Sequence, residues 1–175
     1  VRAAWLAGDQ RLADEMIALL HAGALGTPLP ADARAQVRAM RRRLEDSVHG
    51  RDHLKRGRGG YVDAEFIAQF FALGLVPAQL PRPCSTAALL VRLAELGRIP
   101  IEAVEELVPA LRTLRFVESR MRLSAGRAVS SIPIEPKPRG ELARRCGRAD
   151  FAALDHDLHC AREALRRWFE RLLAD

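Results

Sequence analysis

The chain has 175 residues, of which 49% are hydrophobic and 29% charged, and this composition excludes a disordered segment and favours one globular domain. No apolar run reaches the roughly 18 residues that cross a bilayer and no leader pattern precedes the first helix, so we expect a cytoplasmic protein without a membrane partner. The net charge is +6, but the arginines are spread along the chain and aromatic residues make up only 5%, so we do not expect a nucleic-acid partner.

The first third of the chain predicts two helices. Asp9 is a candidate N-cap for a helix over about 10–21, and a second helix is predicted over about 31–48. In the second helix we expect one side to carry Val37, Met40, Leu44 and Val48. Its arginines are expected to lie largely elsewhere: Arg34, Arg38, Arg41 and Arg42.

A polar, glycine-rich stretch over 50–60 precedes a short helix predicted over about 61–74. Ser85 predicts the N-cap of a helix that ends near Gly97, and a long helix follows over about 101–124. Three prolines predict a surface loop over Ile132–Arg139, because proline is excluded from a helix interior. A turn or two over Glu141–Cys146 follows that loop.

The last helix begins near Asp150 and has the clearest pattern. Apolar residues recur three and four positions apart, which makes one stripe that neighbouring helices must cover. The stripe consists of Phe151, Leu154, Leu158, Ala161, Leu165, Trp168 and Leu172.

These elements predict an all-α fold, an up-and-down helical bundle of about five to seven helices. We expect a single domain over 1–175, and, because the chain begins at Val1 already in helical register, a segment of a longer protein. Its parts are N-terminal helices (1–49), a Gly-rich loop (50–60), central helices (61–124), a Pro-rich loop and short helix (125–149) and the C-terminal helix (150–175).

The glycine-rich stretch contains a candidate anion site. Glycines directly before a helix permit tight backbone geometry, and the first amides of a helix favour an anion. Basic side chains surround the same point. The predicted nucleotide- or anion-binding residues are Lys55, Arg56, Gly57, Arg58, Gly59 and Gly60, and a simple structural turn is the alternative.

Polar residues interrupt two apolar helices. The helix after the turn is apolar nearly all round, yet it carries Asp63, Glu65 and Gln69, which need partners if they are buried. Asp63 and Glu65 lie about 200° apart on a helix, so we assign them different roles. The apolar stripe of the long helix continues into three charged residues, Arg115, Glu118 and Arg122. We predict that these three meet Asp63 or Glu65 in a buried polar network, and an exposed ion-pair ladder is the alternative.

No metal site is predicted. His156 and Cys160 have helical spacing that suits zinc, but a structural zinc site needs four ligands. His49 and His53 lie in a loop and are expected to be solvated. The three cysteines, Cys84, Cys146 and Cys160, are scattered and predict free thiols.

Several stretches resemble, in order, the bacterial glutamine synthetase adenylyltransferases. LKRGRGGYVDAEFIAQ (54–69) resembles the K-x-G-x-G-G signature of that family, which leads into an acidic, aromatic helix. The other similar stretches are STAALLVRLAELGRI (85–99), LRTLRFVESRMRL (111–123) and LARRCG (142–147) with the closing helix. One departure is RAVSSIPIEPKPR (127–139), which lacks the Gln/His-containing segment that the family usually carries.

The resemblance implies a nucleotidyltransferase-associated helical domain that follows the catalytic domain. Members of the family use ATP and Mg²⁺ to add AMP to a tyrosine of glutamine synthetase, or remove it, under nitrogen-signalling proteins. The expected partners are therefore an upstream nucleotidyltransferase domain, glutamine synthetase and a nitrogen-signalling protein. A signal-protein uridylyltransferase relative is an alternative, as is a stand-alone basic module that binds nucleic acid or protein.

This segment lacks the residues that such an enzyme needs for transfer. Nucleotidyltransferases of this kind hold two metal ions with a Gly-Ser turn and an Asp-x-Asp strand. The chain contains no Gly-Ser dipeptide, and its Asp-x-Asp, Asp155-His156-Asp157, lies in the predicted last helix. We therefore expect the segment alone to be inactive and to bind no cofactor, with the chemistry carried by a parent nucleotidyltransferase.

Overall fold

Regular structure in this protein is helical. The computed structural model describes residues 5, 7–25, 28–81 and 84–174. Within those ranges the secondary structure consists of seven α-helices and one 3-10 turn, with no β-strand. The helices are α1 Gln10–Ala24, α2 Ala33–Asp46, α3 Val62–Ala72, α4 Thr86–Glu95, α5 Ile101–Ala125, α6 Pro136–Arg145 and α7 Phe151–Leu172, and the 3-10 turn is Pro77–Gln79. The predicted all-α fold class is confirmed.

Side-chain caps set the start of several helices. The side chains of Asp9, Ser85 and Asp150 each accept a hydrogen bond from the amide three residues later, at 2.9 to 3.1 Å. Each bond satisfies an amide that has no acceptor inside its own helix. The N-caps predicted at Asp9 and Ser85 are confirmed, and Asp150 caps α7 in the same way.

The loop predicted over Ile132–Arg139 is wrong in its second half. Pro136 and Pro138 occupy the first and third positions of α6. Amides in the first turn of a helix have no intrahelical acceptor, so a proline there removes no hydrogen bond. The prolines therefore start a helix, and the predicted turn over Glu141–Cys146 is part of α6.

The two longest helices, α5 and α7, pack against each other in opposite directions. Glu106 near the start of α5 pairs with Arg167 near the end of α7, while Val117 and Leu154 line one small cavity at the other end of the pair. The predicted α7 stripe faces this contact. Its buried members are Leu154, Leu158, Ala161, Leu165 and Trp168.

Helix α3 lies in the interior, and α2 turns an unexpected side to it. Ala64 and Ile67 of α3 have no exposed surface. In α2, Met40 is 51% exposed, whereas Arg41 is completely buried. At 100° per residue, Arg41 and Met40 lie about 50° on either side of the centre of the Val37–Leu44 stripe. The prediction that placed Met40 inside and Arg41 elsewhere is wrong, because it chose by hydrophobicity between two positions that are equivalent in helical spacing.

Within the described ranges, no helix is both long and apolar enough to cross a membrane.

Candidate functional site

The glycine-rich turn before α3 is a tightly closed backbone structure. A Cβ added at Gly57 would lie 2.6 Å from the carbonyl oxygen of His53, and one at Gly60 would lie 2.7 Å from the carbonyl carbon of Lys55. Both distances are far below van der Waals contact. A side chain at either position would therefore force the turn open.

Gly59 brings the same turn directly onto α7. It has a positive φ of 66°, and a Cβ there would lie 2.7 Å from the Cβ of Arg162. Only glycine combines that backbone conformation with so close an approach. The turn therefore packs directly against α7.

The amides where this turn enters α3 already have acceptors. The N–H groups of Gly60, Tyr61 and Val62 donate to carbonyl oxygens of the preceding turn at 2.8 to 3.2 Å. These are the amides that the sequence analysis assigned to an anion. These three N–H groups are therefore already engaged within the turn.

Two carbonyl oxygens of the turn accept hydrogen bonds from the guanidinium of Arg41. Nη1 of Arg41 donates to the carbonyl of Arg56 at 3.0 Å, and Nη2 donates to the carbonyl of Gly57 at 2.6 Å. Its Nε donates to Oδ1 of Asp63, and both side chains of this ion pair have no exposed surface. A single guanidinium from α2 therefore ties the glycine-rich turn to the first turn of α3.

Asp63 is strongly affected by this environment. Burial raises the pKa of Asp63 to about 6, although the charge and hydrogen bond of Arg41 act in the opposite direction. Among the described residues its Oδ2 accepts no hydrogen bond, which explains why desolvation outweighs the guanidinium. Arg166 of α7, 3.3 Å from Glu45, adds a second positive charge on this side of α3.

Glu118 of α5 forms a second polar cluster on the opposite side of α3. It is 5% exposed, and both carboxylate oxygens lie 3.2 Å from the hydroxyl of Tyr61, which donates to them. Arg122 pairs with it at 3.0 Å, and Ser130 donates to the same carboxylate. Burial and the adjacent Glu118 raise the pKa of Tyr61 to about 12, so the phenol keeps its proton and remains a donor.

Glu65 joins α3 to α5 one turn further along. Nη2 of Arg115 donates to its carboxylate at 2.7 Å, and the guanidinium carbon of Arg115 lies 5.2 Å from the centre of the Tyr61 ring. The structure thus brings Glu65, Arg115, Glu118 and Arg122 together around Tyr61. Asp63 points to α2 instead, as the 200° separation requires.

This cluster lines an open cleft between α3 and the second half of α5. Its volume is about 760 Å³, and its walls include Tyr61, Glu65, Arg115, Glu118, Ser119, Arg122 and Arg127. Lys55 lies beside it, with Nζ 5.9 Å from the Tyr61 ring centre. We call this the α3–α5 cleft.

Other residues of the predicted sites lie elsewhere. Arg58 is exposed and pairs with Glu170 of α7 at 3.4 Å, and Arg56 is exposed. Gln69 is also exposed, so the prediction that it joins a buried network is wrong.

His53 has a structural role that its loop position did not indicate. Its Nδ1 accepts hydrogen bonds from the amides of Lys55 and Arg56, both at 3.1 Å. Burial and then the charge of Arg56 lower the pKa of His53. His53 is half-buried rather than fully solvated, and its Nδ1 supports the start of the glycine-rich turn.

The sequence analysis missed Tyr61, Arg41 and Ser130, which the structure adds to the site. Arg41 could not be distinguished from Met40 by helical spacing, because each lies three residues from one of Val37 and Leu44 and four from the other. Ser130 could not be found either, because its position depends on an antiparallel bridge between His53 and Ser131 that joins distant segments.

No metal centre emerges in the part of the chain that the structure describes. No group of three or more His, Cys, Asp or Glu side chains is placed to hold an ion. Sγ of Cys160 lies 3.6 Å from Nε2 of His156 on the exposed side of α7. Cys84, Cys146 and Cys160 are not joined by disulfide bonds, as predicted.

Fold and site together define an all-helical domain whose glycine-rich turn is anchored by a buried ion pair beside a charged cleft. A sequence model of the family described as GlnD PII-uridylyltransferase matches residues 31–173. Since the match includes α2 to α7, the chain belongs to that family.

Curated relatives sharpen the comparison. The chain is 31% identical over 153 residues to a bifunctional glutamine synthetase adenylyltransferase/adenylyl-removing enzyme of Neisseria meningitidis serogroup A, a match that covers 84% of the chain and 17% of the relative. A relative of the same name from Chromobacterium violaceum is 30% identical over 178 residues. That match covers 98% of the chain and 19% of the relative. The predicted resemblance to these adenylyltransferases is confirmed. The chain spans about a fifth of the length of the relatives it matches.

Proposed function

We propose that this chain is the helical accessory domain of a glutamine synthetase adenylyltransferase. In this proposal it positions nucleotide or protein substrate for a nucleotidyltransferase domain that adds AMP to a tyrosine of glutamine synthetase or removes it. ATP and Mg²⁺ serve the parent enzyme, which works in the cytoplasm under a nitrogen-signalling protein. The observation that carries the proposal is the similarity to bifunctional adenylyltransferases across 84 to 98% of the chain.

The geometry supports a positioning role. The glycine-rich turn is clamped to α7 through Gly59 and to α2 through Arg41. The α3–α5 cleft begins at the next residue, Tyr61, and its carboxylates are held by arginines and a phenol. A site whose side chains are locked by packing and hydrogen bonds can orient a substrate precisely.

A second candidate is a uridylyltransferase that modifies a signal protein. The description of the matching family model favours it, since that description names PII-uridylyltransferase. The relatives with 30 to 31% identity are adenylyltransferases instead, and this is why we place the adenylyltransferase first.

The test uses the intact protein that contains this chain. Labelled ATP with glutamine synthetase and labelled UTP with PII protein are supplied in separate assays. We expect label on glutamine synthetase, and we expect Glu65→Gln to lower that rate about tenfold because it releases Arg115 from its partner. Glu105→Gln, on the exposed side of α5, is the matched control and should retain the full rate.

The outcomes separate the two candidates. Label on PII protein alone would replace the first candidate by the second. No transfer in either assay, or equal rates for Glu65→Gln and the parent, would contradict the proposed role of this domain.

A further inference from the structure

In the α3–α5 cleft the acidic side chains lie deeper than the basic side chains. The carboxylates are sunk in its floor, with side chains 15% exposed for Glu65 and 7% for Glu118. The guanidiniums that pair with them reach outward, 41% exposed for Arg115 and 45% for Arg122. A ligand that enters from solvent therefore meets the cations first.

The cations at the cleft outnumber the acids. Three arginines line it against two glutamates, and Lys55 stands beside Tyr61. Arg127, the third arginine, is exposed directly after the C-terminus of α5. A guanidinium has five N–H donors. Arg115 donates to Glu65 through Nη2, and Arg122 pairs with Glu118 and also donates to the carbonyl of Val129 and the hydroxyl of Ser130, both at 3.4 Å, so each guanidinium keeps further donors.

The buried acids also orient these donors. Glu65 holds Arg115 at 2.7 Å across two helices, and Glu118 holds Arg122 at 3.0 Å along α5. Such pairing fixes long side chains that would otherwise lose rotamer freedom on binding. The guanidiniums are thus preorganised for an anion with several oxygens.

We propose that the α3–α5 cleft binds the oligophosphate of a nucleoside triphosphate. Arginine forks match phosphate oxygens in geometry and charge, and a volume of about 760 Å³ lies within the ~300–1,000 Å³ of small-molecule sites. The site is distinct from the glycine-rich turn, where the amides of Gly57 and Gly60 are bonded internally and Arg58 pairs with Glu170. The identity of the ligand as a nucleotide rests on the proposed function, while its phosphate chemistry rests on the cleft alone.

Calorimetric titration of the 175-residue chain with inorganic triphosphate and with ATP tests the proposal. We expect saturable binding of both, weakened about fivefold to tenfold by Arg127→Ser and by Lys55→Ser. Arg144→Ser, an exposed position on α6, removes the same charge elsewhere and should change the dissociation constant less than twofold. Circular dichroism of each variant verifies that helix content is retained.

Three results would overturn the proposal. The first is no saturable binding of triphosphate up to roughly 5 mM, the range of the weakest specific ligands. The second is equal weakening by Arg144→Ser, which would mean general attraction to a basic surface. The third is tighter binding of a polyglutamate peptide than of triphosphate, which would assign the cleft to an acidic protein segment.

The titration and the transfer assay fail independently. Triphosphate binding without AMP transfer would contradict the proposed function and leave the cleft assignment standing. AMP transfer by the intact protein without triphosphate binding to the cleft would contradict this inference alone.

Discussion

Two ion-pair systems flank α3, and they differ in access to water. On one side Arg41 and Asp63 are both completely buried. On the other side the carboxylates of Glu65 and Glu118 are covered, but their arginines project into a cleft. Asp63 and Glu65 are two residues apart, so the same helix supplies an acid to each system.

This difference in exposure gives the two systems different roles: the Arg41–Asp63 pair fixes the fold, and the Glu65 and Glu118 system forms a binding site. In the closed pair the guanidinium donors go to Asp63 and two carbonyls of the glycine-rich turn. Such a pair adds little net stability, but removing one partner is costly because the other charge stays buried. In the open system the arginines remain available to a ligand.

The sharpest test of this contrast is loss of the buried cation. We expect Arg41→Met to lower the free energy of unfolding by about 3 to 5 kcal/mol, because Asp63 and two carbonyls lose their donor inside the protein. Urea denaturation followed by circular dichroism measures it. Arg115→Met, its counterpart in the cleft, should cost about 1 kcal/mol or less. Equal losses would mean that the two systems do not differ.

The next effect concerns the clamp between the turn and α7. Gly59→Ala should cost about 3 kcal/mol, since it combines a left-handed backbone with a clash against Arg162. Gly97→Ala is the matched control, with a φ of 64° and open space around its Cβ. Gly97→Ala should cost only the strain of the left-handed backbone, about 1 to 2 kcal/mol. Thermal or urea unfolding of both variants gives the difference, and a difference of zero would remove the packing argument.

The pH dependence of stability tests the burial of Asp63. Its pKa is raised from 3.8 to about 6, so between these values the folded protein binds a proton that the unfolded chain has released. Stability due to this group is therefore largest below pH 4 and falls as the pH rises through 6, by about 2 to 3 kcal/mol in all. Asp63→Asn removes this dependence. The prediction fails if parent and variant show the same change between pH 4 and pH 7.

A smaller loss is expected at the floor of the cleft. Glu118→Leu should destabilise the protein by about 2 kcal/mol, because the buried hydroxyl of Tyr61 loses its acceptor while Arg122 can turn to water. Glu105→Leu, an exposed position of the same helix, should change stability by less than about 0.5 kcal/mol. Urea unfolding of the two variants decides whether Glu118 belongs to a buried cluster or to an exposed ladder.

Much of the fold could be predicted from local signals. The caps at Asp9 and Ser85 and the apolar stripe of α7 depend on short-range spacing, and each was predicted in place. The prolines of α6 were misassigned because proline stops a helix in its interior and starts one in its first turn. Arg41 was misplaced because a charged residue at a core position contradicts the hydrophobic pattern unless its partner is known.

The sequence by itself determined the all-helical class, the family resemblance and the opposite orientation of Asp63 and Glu65, since these follow from periodicity and local order. Tertiary structure decided that the Asp63 side of α3 is buried and that the Glu65 side opens into a cleft. The backbone of the glycine-rich turn binds a cation of the protein itself, and the open arginines lie one helix away on α5. That arrangement depends on contacts between residues 22 to 57 positions apart, and no local pattern specifies which of many arginines fills a buried position.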